Sequence, residues 1–90
     1  MVAVRVYGPL RQHVDEKAFE HPLPPQGTIR ALVQSLASTY PGLGDPLLDD
    51  EGRVSRSINV LVDGRHVDVD ENPELDEGVT VSLAPRLEGG

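Results

Sequence analysis

Ile29, Leu32, Val33, Leu36 and Tyr40 recur at helical spacing, with Ala37 beside them. They predict one amphipathic helix with a single apolar stripe. Arg30, Gln34, Ser35 and Ser38 fall on its other face. Thr28 offers a hydroxyl to an orphan backbone N–H as N-cap. Pro41-Gly42 and Gly44 end the helix. Such a helix must lay its stripe on another element. In a chain of 90 residues, one small domain, there is room for one sheet with one or two helices and little room for a deep pocket. A chain this size buries only roughly 60–65% of its unfolded surface. With one Phe, two Tyr and no Trp, its core must be Val and Leu.

The rest of the sequence supplies the sheet. Val2, Val4 and Val6 alternate with Ala3, Arg5 and Tyr7, a strand with one buried face that Gly8-Pro9 ends. Leu10 to Lys17 reads as a mixed loop. Ala18 to His21 reads as a short hairpin partner with Phe19 inward, stopped by Pro22, Pro24 and Pro25, because proline cannot donate to a ladder. Asp45 to Ser57 is acidic and poorly patterned apart from a helical turn at Leu47-Leu48. Ile58 to Val62 is the strongest strand, with Ile58, Val60 and Val62 on one face. Asp63-Gly64 then makes a two-residue hairpin turn into Arg65-His66-Val67. A loop turns at Asn72-Pro73, and Leu75 plugs back toward the core. After Gly78, Val79, Val81 and Leu83 alternate inward in a last strand that Pro85 stops. The predicted order is β-β-α-β-β-β, an α+β fold with the first and last strands central and the helix across one sheet face.

Several function classes fall away. Cysteine is absent, so disulfides, thiol nucleophiles and Cys-ligated clusters are excluded. Fifteen acids against eight bases give a net charge of −7, which repels phosphate backbones and disfavours nucleic acid. The charge favours a basic protein surface or serves solubility alone. No stretch approaches the ~18 apolar residues of a membrane span, and Met1 to Arg5 lacks a signal peptide's basic and apolar regions. The expectation is a cytoplasmic monomer. His13, His21 and His66 lie in unrelated segments and read as exposed or edge-strand residues rather than a metal site. Asp45, Asp49, Asp50 and Glu51 lack the order of a calcium loop. Asp68, Asp70, Glu71, Glu74, Asp76 and Glu77 form a second acidic run, solvated or facing a basic partner. No nucleophile–base set or phosphate loop is present, so the chain reads as a non-enzyme.

The division expected is a folded unit at 1–85 and a flexible tail at 86–90, Arg86-Leu87-Glu88-Gly89-Gly90. Glycine has no Cβ, so Gly89-Gly90 can thread a narrow channel. Five extended residues reach at most roughly 17 Å. Leu61, on the strand face opposite Val60 and Val62, is expected to join Leu87 and Leu10 in an exposed apolar patch. Lys17, the only lysine, is a candidate isopeptide acceptor.

This order with a Gly-Gly end resembles the ubiquitin-like β-grasp superfamily, and within it the sulfur-carrier branch (MoaD/ThiS), which includes the small archaeal modifier proteins. Val6-Tyr7-Gly8-Pro9-Leu10-Arg11 is similar to that family's first strand and loop. Gly27-Thr28-Ile29 and its helix, Ile58 to Gly64, and the spacing from Gly78 to Gly90 are similar too. The tail departs from the usual pattern, with Arg86 in place of a proline and Glu88 in place of a small residue. The resemblance implies a carrier whose Gly90 carboxyl is activated by a ubiquitin-activating-type adenylating enzyme. That enzyme, not this chain, would use ATP and Mg²⁺. It implies two fates: a thiocarboxylate that gives sulfur to an acceptor enzyme's substrate, in molybdopterin or tRNA thiolation, or an isopeptide bond to target-protein lysines. It also implies that Leu87, Arg86, Glu88, Leu61 and Leu10 meet partners. The alternative is a β-grasp interaction domain with an incidental Gly-Gly end.

Overall fold

The computed structural model describes residues 1–86. Five strands form one mixed sheet: β1 (Val2–Val6), β2 (Ala18–His21), β3 (Ile58–Val62), β4 (Arg65–His66) and β5 (Thr80–Pro85), in spatial order β2-β1-β5-β3-β4. The first and last strands are neighbours and run parallel, with Val4 beside Val81 and Val6 beside Leu83. β3 lies antiparallel on the other side of β5, with Val60 beside Leu83. This is the β-grasp arrangement expected from the element order.

Helix α1 (Ile29–Thr39) lies across one face. The Thr28 hydroxyl accepts the Ala31 N–H at 3.2 Å, the predicted cap. Ile29, Leu32, Val33 and Leu36 are buried against Val2, Val4, Val6, Val60, Val81 and Leu83. The alternating valines thus do what their period requires, with one face of each strand meeting the helical stripe.

Asp63 (φ 51°) and Gly64 (φ 84°) make the β3–β4 turn in the left-handed region, as the Asp-Gly pair predicts. The acidic stretch after α1 holds more structure than its pattern suggests. A 3₁₀ turn at Pro41–Leu43 leads into the short helix α2 (Gly44–Leu47), and Leu43, Leu47 and Val54 all enter the core. Single apolar residues spaced by turn chemistry leave no period to read.

Two expectations are corrected. The first part of the expected Leu10 to Lys17 loop belongs to a 3₁₀ turn, Gly8–His13, and only residues 14–17 are loop. Gly8 takes φ 61° and Pro9 starts the turn, which swings Leu10 under the sheet to 2% exposure. Leu10 is therefore core and cannot belong to a surface patch. His21 does lie on the edge strand β2, but it is 7% exposed and faces α1, where its Nε2 lies 2.8 Å from the Ser35 hydroxyl. Ser35 accordingly sits at the margin of the packed side of α1. Burial holds the His21 imidazole below its usual pKa.

Candidate functional site

Among the described residues, no helix covers the sheet's second face. Strand register fixes which side chains share it. Arg5 pairs with Ser82, Ser82 with Leu61, and Leu61 with His66, so these four form a row across the sheet. Tyr7 follows β1 on the same side, 43% exposed, and its N–H donates to the Leu83 carbonyl at 3.1 Å. Arg5, Tyr7, Leu61, Thr80, Ser82 and Ala84 border one shallow depression whose lining is mainly apolar. Its middle strand, β5, contributes only small side chains there, so the backbone is approachable. The Arg5 guanidinium sits on this face in a chain of net charge −7, with His66 at the other end of the row. Asp63, at one end, has an oxygen engaged by the Thr80 N–H at 2.9 Å.

Leu61 stands on the open face, as its strand position predicts, half-buried. Leu10 lies inside the core instead. Lys17 is exposed, and it borders a small hollow with Arg5 and Tyr7. The expected reactive and tail residues Gly89, Gly90, Leu87 and Glu88 lie outside the described residues. Arg86 is exposed, yet its backbone remains in the ladder, with its N–H donating to the Ser57 carbonyl at 2.7 Å. Its Nε reaches toward Asn59 Oδ1 at 3.5 Å. Tyr7 and Ser82 were legible as surface positions from the same alternation that found the core, although the sequence reading did not assign them a role.

The acidic runs are partly structural. Asp49 Oδ1 accepts the Glu51 N–H at 2.9 Å and the Arg53 N–H at 3.0 Å. The Arg53 backbone bond leads the causes that lower its pKa, with the nearby Arg53 and Arg30 charges adding to it. Asp68 accepts the Asp70 N–H at 2.9 Å, and Asp70 pairs with Arg56 at 2.9 Å. Among the described residues, no three His, Cys, Asp or Glu side chains group as metal ligands would, and no helix is long and apolar enough to cross a membrane.

The sequence matches the ThiS family over residues 4–90. Small archaeal modifier protein 3 of Haloferax volcanii is 32% identical over 90 residues, which covers 97% of this chain and 96% of that protein. The crystal structure of small archaeal modifier protein 1 from the same organism has the same fold, with TM-score 0.83 at 19% identity, covering 99% of this chain and 98% of that one. A chain in the crystal structure of the Amycolatopsis orientalis BexX/CysO complex aligns over 100% of both chains, at 26% identity and TM-score 0.78.

Proposed function

The chain belongs to the ThiS family, a ubiquitin-like sulfur carrier and protein modifier, and from that premise we propose that its Gly90 carboxyl is the group activated and transferred. A carboxylate is a poor electrophile at neutral pH. Its oxygen would attack the α-phosphorus of ATP on an adenylating enzyme, releasing pyrophosphate and leaving an acyl-adenylate. ATP and Mg²⁺ belong to that enzyme's site. A sulfur nucleophile then displaces AMP to give the thiocarboxylate. A lysine amine attacking the same carbonyl gives an isopeptide bond, and the modifier name of the 32% identical relative supports keeping this second fate.

The chain's own work is delivery. β5 is held on both sides, parallel to β1 and antiparallel to β3, and its Val81 and Leu83 are fully buried. That anchored strand brings the backbone to Arg86, with residues 87–90 still to follow. Four extended residues span at most roughly 14 Å, enough to place Gly90 in a partner's active site while the folded body stays outside. The observation that carries this reading is the pairing of that rigid strand with the uncovered face beside it. The small residues of β5 allow close approach, while Leu61 and Tyr7 offer apolar area and Arg5 a charge. We assign that face to the adenylating enzyme. A fully desolvated apolar centre with a polar rim is the arrangement that concentrates binding energy.

The test is intact mass after incubation with ATP, Mg²⁺, a sulfur donor and the host's adenylating enzyme. A shift equal to one oxygen-to-sulfur exchange, absent when Gly89-Gly90 is deleted, supports the reading. No adenylate and no sulfur gain with the parent protein would refute it.

A further inference from the structure

The bond from the Arg86 N–H to the Ser57 carbonyl continues the β3–β5 register by one residue past Ile58 and Pro85, beyond the last paired residues of both strands and at the point where the chain enters β3 from a turn at Ser57. The Ser57 carbonyl is therefore held from two sides, by the strand register and by the turn that leads into the strand. Ser55 builds that turn. Its Oγ accepts the Ser57 N–H at 3.2 Å and lies 2.7 Å from the Ser57 Oγ, and its carbonyl accepts the Ile58 N–H at 3.2 Å. The Ser55 N–H donates to the Leu47 carbonyl at 2.8 Å. Leu47, Val54 and Ile58 are all buried core residues around it. A hydroxyl that bonds a backbone N–H two residues on is a local turn-maker. The core, the turn, the Ser57 carbonyl and the root of the C-terminal segment therefore form one continuous chain of contacts.

We infer that Ser55 is a positioning residue for the transfer chemistry: its turn holds the Ser57 carbonyl where it clamps the Arg86 N–H, and so fixes where and in which direction the last residues leave the sheet. This rests on the carrier reading. Clamping trades reach for direction. A free residue 86 would lengthen the extension by roughly 3.5 Å but would have to be ordered each time the carrier docks. Fixing one residue's backbone corresponds to roughly a 5- to 30-fold difference in an equilibrium constant. The neighbouring bonds of β5 stay in place, so the lower end applies. The side chain of Arg86, near Asn59 at 3.5 Å, contributes less than its N–H, because that distance is at the limit of a hydrogen bond.

The test has two arms on the full-length protein. In the first, NMR measures exchange of the Arg86 amide with solvent. The parent amide should be protected, Ser55→Ala should speed its exchange about tenfold, and Ser55→Thr, which keeps the hydroxyl, should restore protection. In the second, ATP–pyrophosphate exchange with the host's adenylating enzyme gives KM and kcat for the carrier. Ser55→Ala should raise KM about fivefold with kcat unchanged, and Ser55→Thr should return it to the parent value. Should Ser55→Ala unfold, Arg86→Pro removes the N–H without touching the turn, and Arg86→Ala controls for the lost side chain. Arg86→Pro should raise KM above the value of Arg86→Ala, which shares the loss of the side chain but keeps the N–H, and equal values for the two would overturn the inference. An unprotected Arg86 amide in the parent, or variants with unchanged exchange and unchanged KM, would overturn the inference. No pyrophosphate exchange with the parent counts against the carrier reading itself and takes the KM claim with it, while the amide arm still decides whether the clamp exists.

Discussion

The two faces of the sheet are built from the same five strands, yet they share almost no chemistry. Toward α1, the strands present Val2, Val4, Val6, Val60, Val81 and Leu83, all essentially without solvent contact. Away from it, they present Arg5, Tyr7, Leu61, Ser82, Ala84 and His66, which range from half-buried to exposed. The inner face carries fold stability and tolerates little change, because interiors are packed like crystals. The outer face carries little of that stability and is free to carry recognition. β5 belongs to both, since it is the buried centre of one face and the small-residue floor of the other.

That contrast can be broken most severely within β5 itself. Leu83→Ala should destabilise the protein by about 2–5 kcal/mol, and Ser82→Ala, one residue away, by no more than about 0.5 kcal/mol. Denaturant unfolding checks both, and similar values would erase the distinction between faces. Leu10 offers the next test, because the sequence places it with the surface and the structure with the core. Leu10→Ala should cost at least about 2 kcal/mol by the same measurement. A loss near zero would return Leu10 to the surface.

The outer face is probed by the opposite kind of outcome. Leu61→Asp should leave the unfolding midpoint within a few degrees of the parent. It should raise the KM for the adenylating enzyme about tenfold, the effect of removing one apolar anchor of about 1.4 kcal/mol. An unchanged KM would remove this face from the interface.

The smallest effect is a matter of pH. Burial lowers the pKa of His21 in the folded state, so the unfolded chain takes the proton first. Stability is then complete above about pH 6.5, the unfolded value, and falls as pH drops below it. His21→Gln should flatten that fall in a series of thermal melts. A melting temperature independent of pH over this window in the parent would show that His21 is not shielded as the structure places it.

How much of this was legible in the sequence follows from how local each signal is. The helix, the valine strands and the Asp-Gly turn each carry a period or a dipeptide with a direct physical meaning, and these set the β-grasp order. Leu61 was placed on the open face by alternation alone. Leu10 was misplaced because its position depends on one left-handed glycine and the following proline, which together form a turn that no period announces. His21 was read as an exposed or edge-strand residue; the edge strand is right, but its burial was missed because a lone histidine there does not reveal that a serine fourteen residues later lies across from it. Ser55 was passed over for a similar reason, since its partners at Leu47, Ser57 and Ile58 meet only once the chain has folded. The proposed reactive end was legible only as a motif, Gly89-Gly90 at a spacing from Gly78 similar to the family's, and both glycines lie outside the described residues.

The difference between the faces is tested most directly by an NMR titration of the labelled protein with the host's adenylating enzyme in the presence of ATP and Mg²⁺. The account predicts that amide shifts and line broadening concentrate at Arg5, Tyr7, Leu61, Ser82, Ala84 and Arg86, while Arg30, Gln34 and Ser38 on the exposed side of α1 stay unchanged. Perturbation centred on α1 with the outer sheet face unaffected would contradict it.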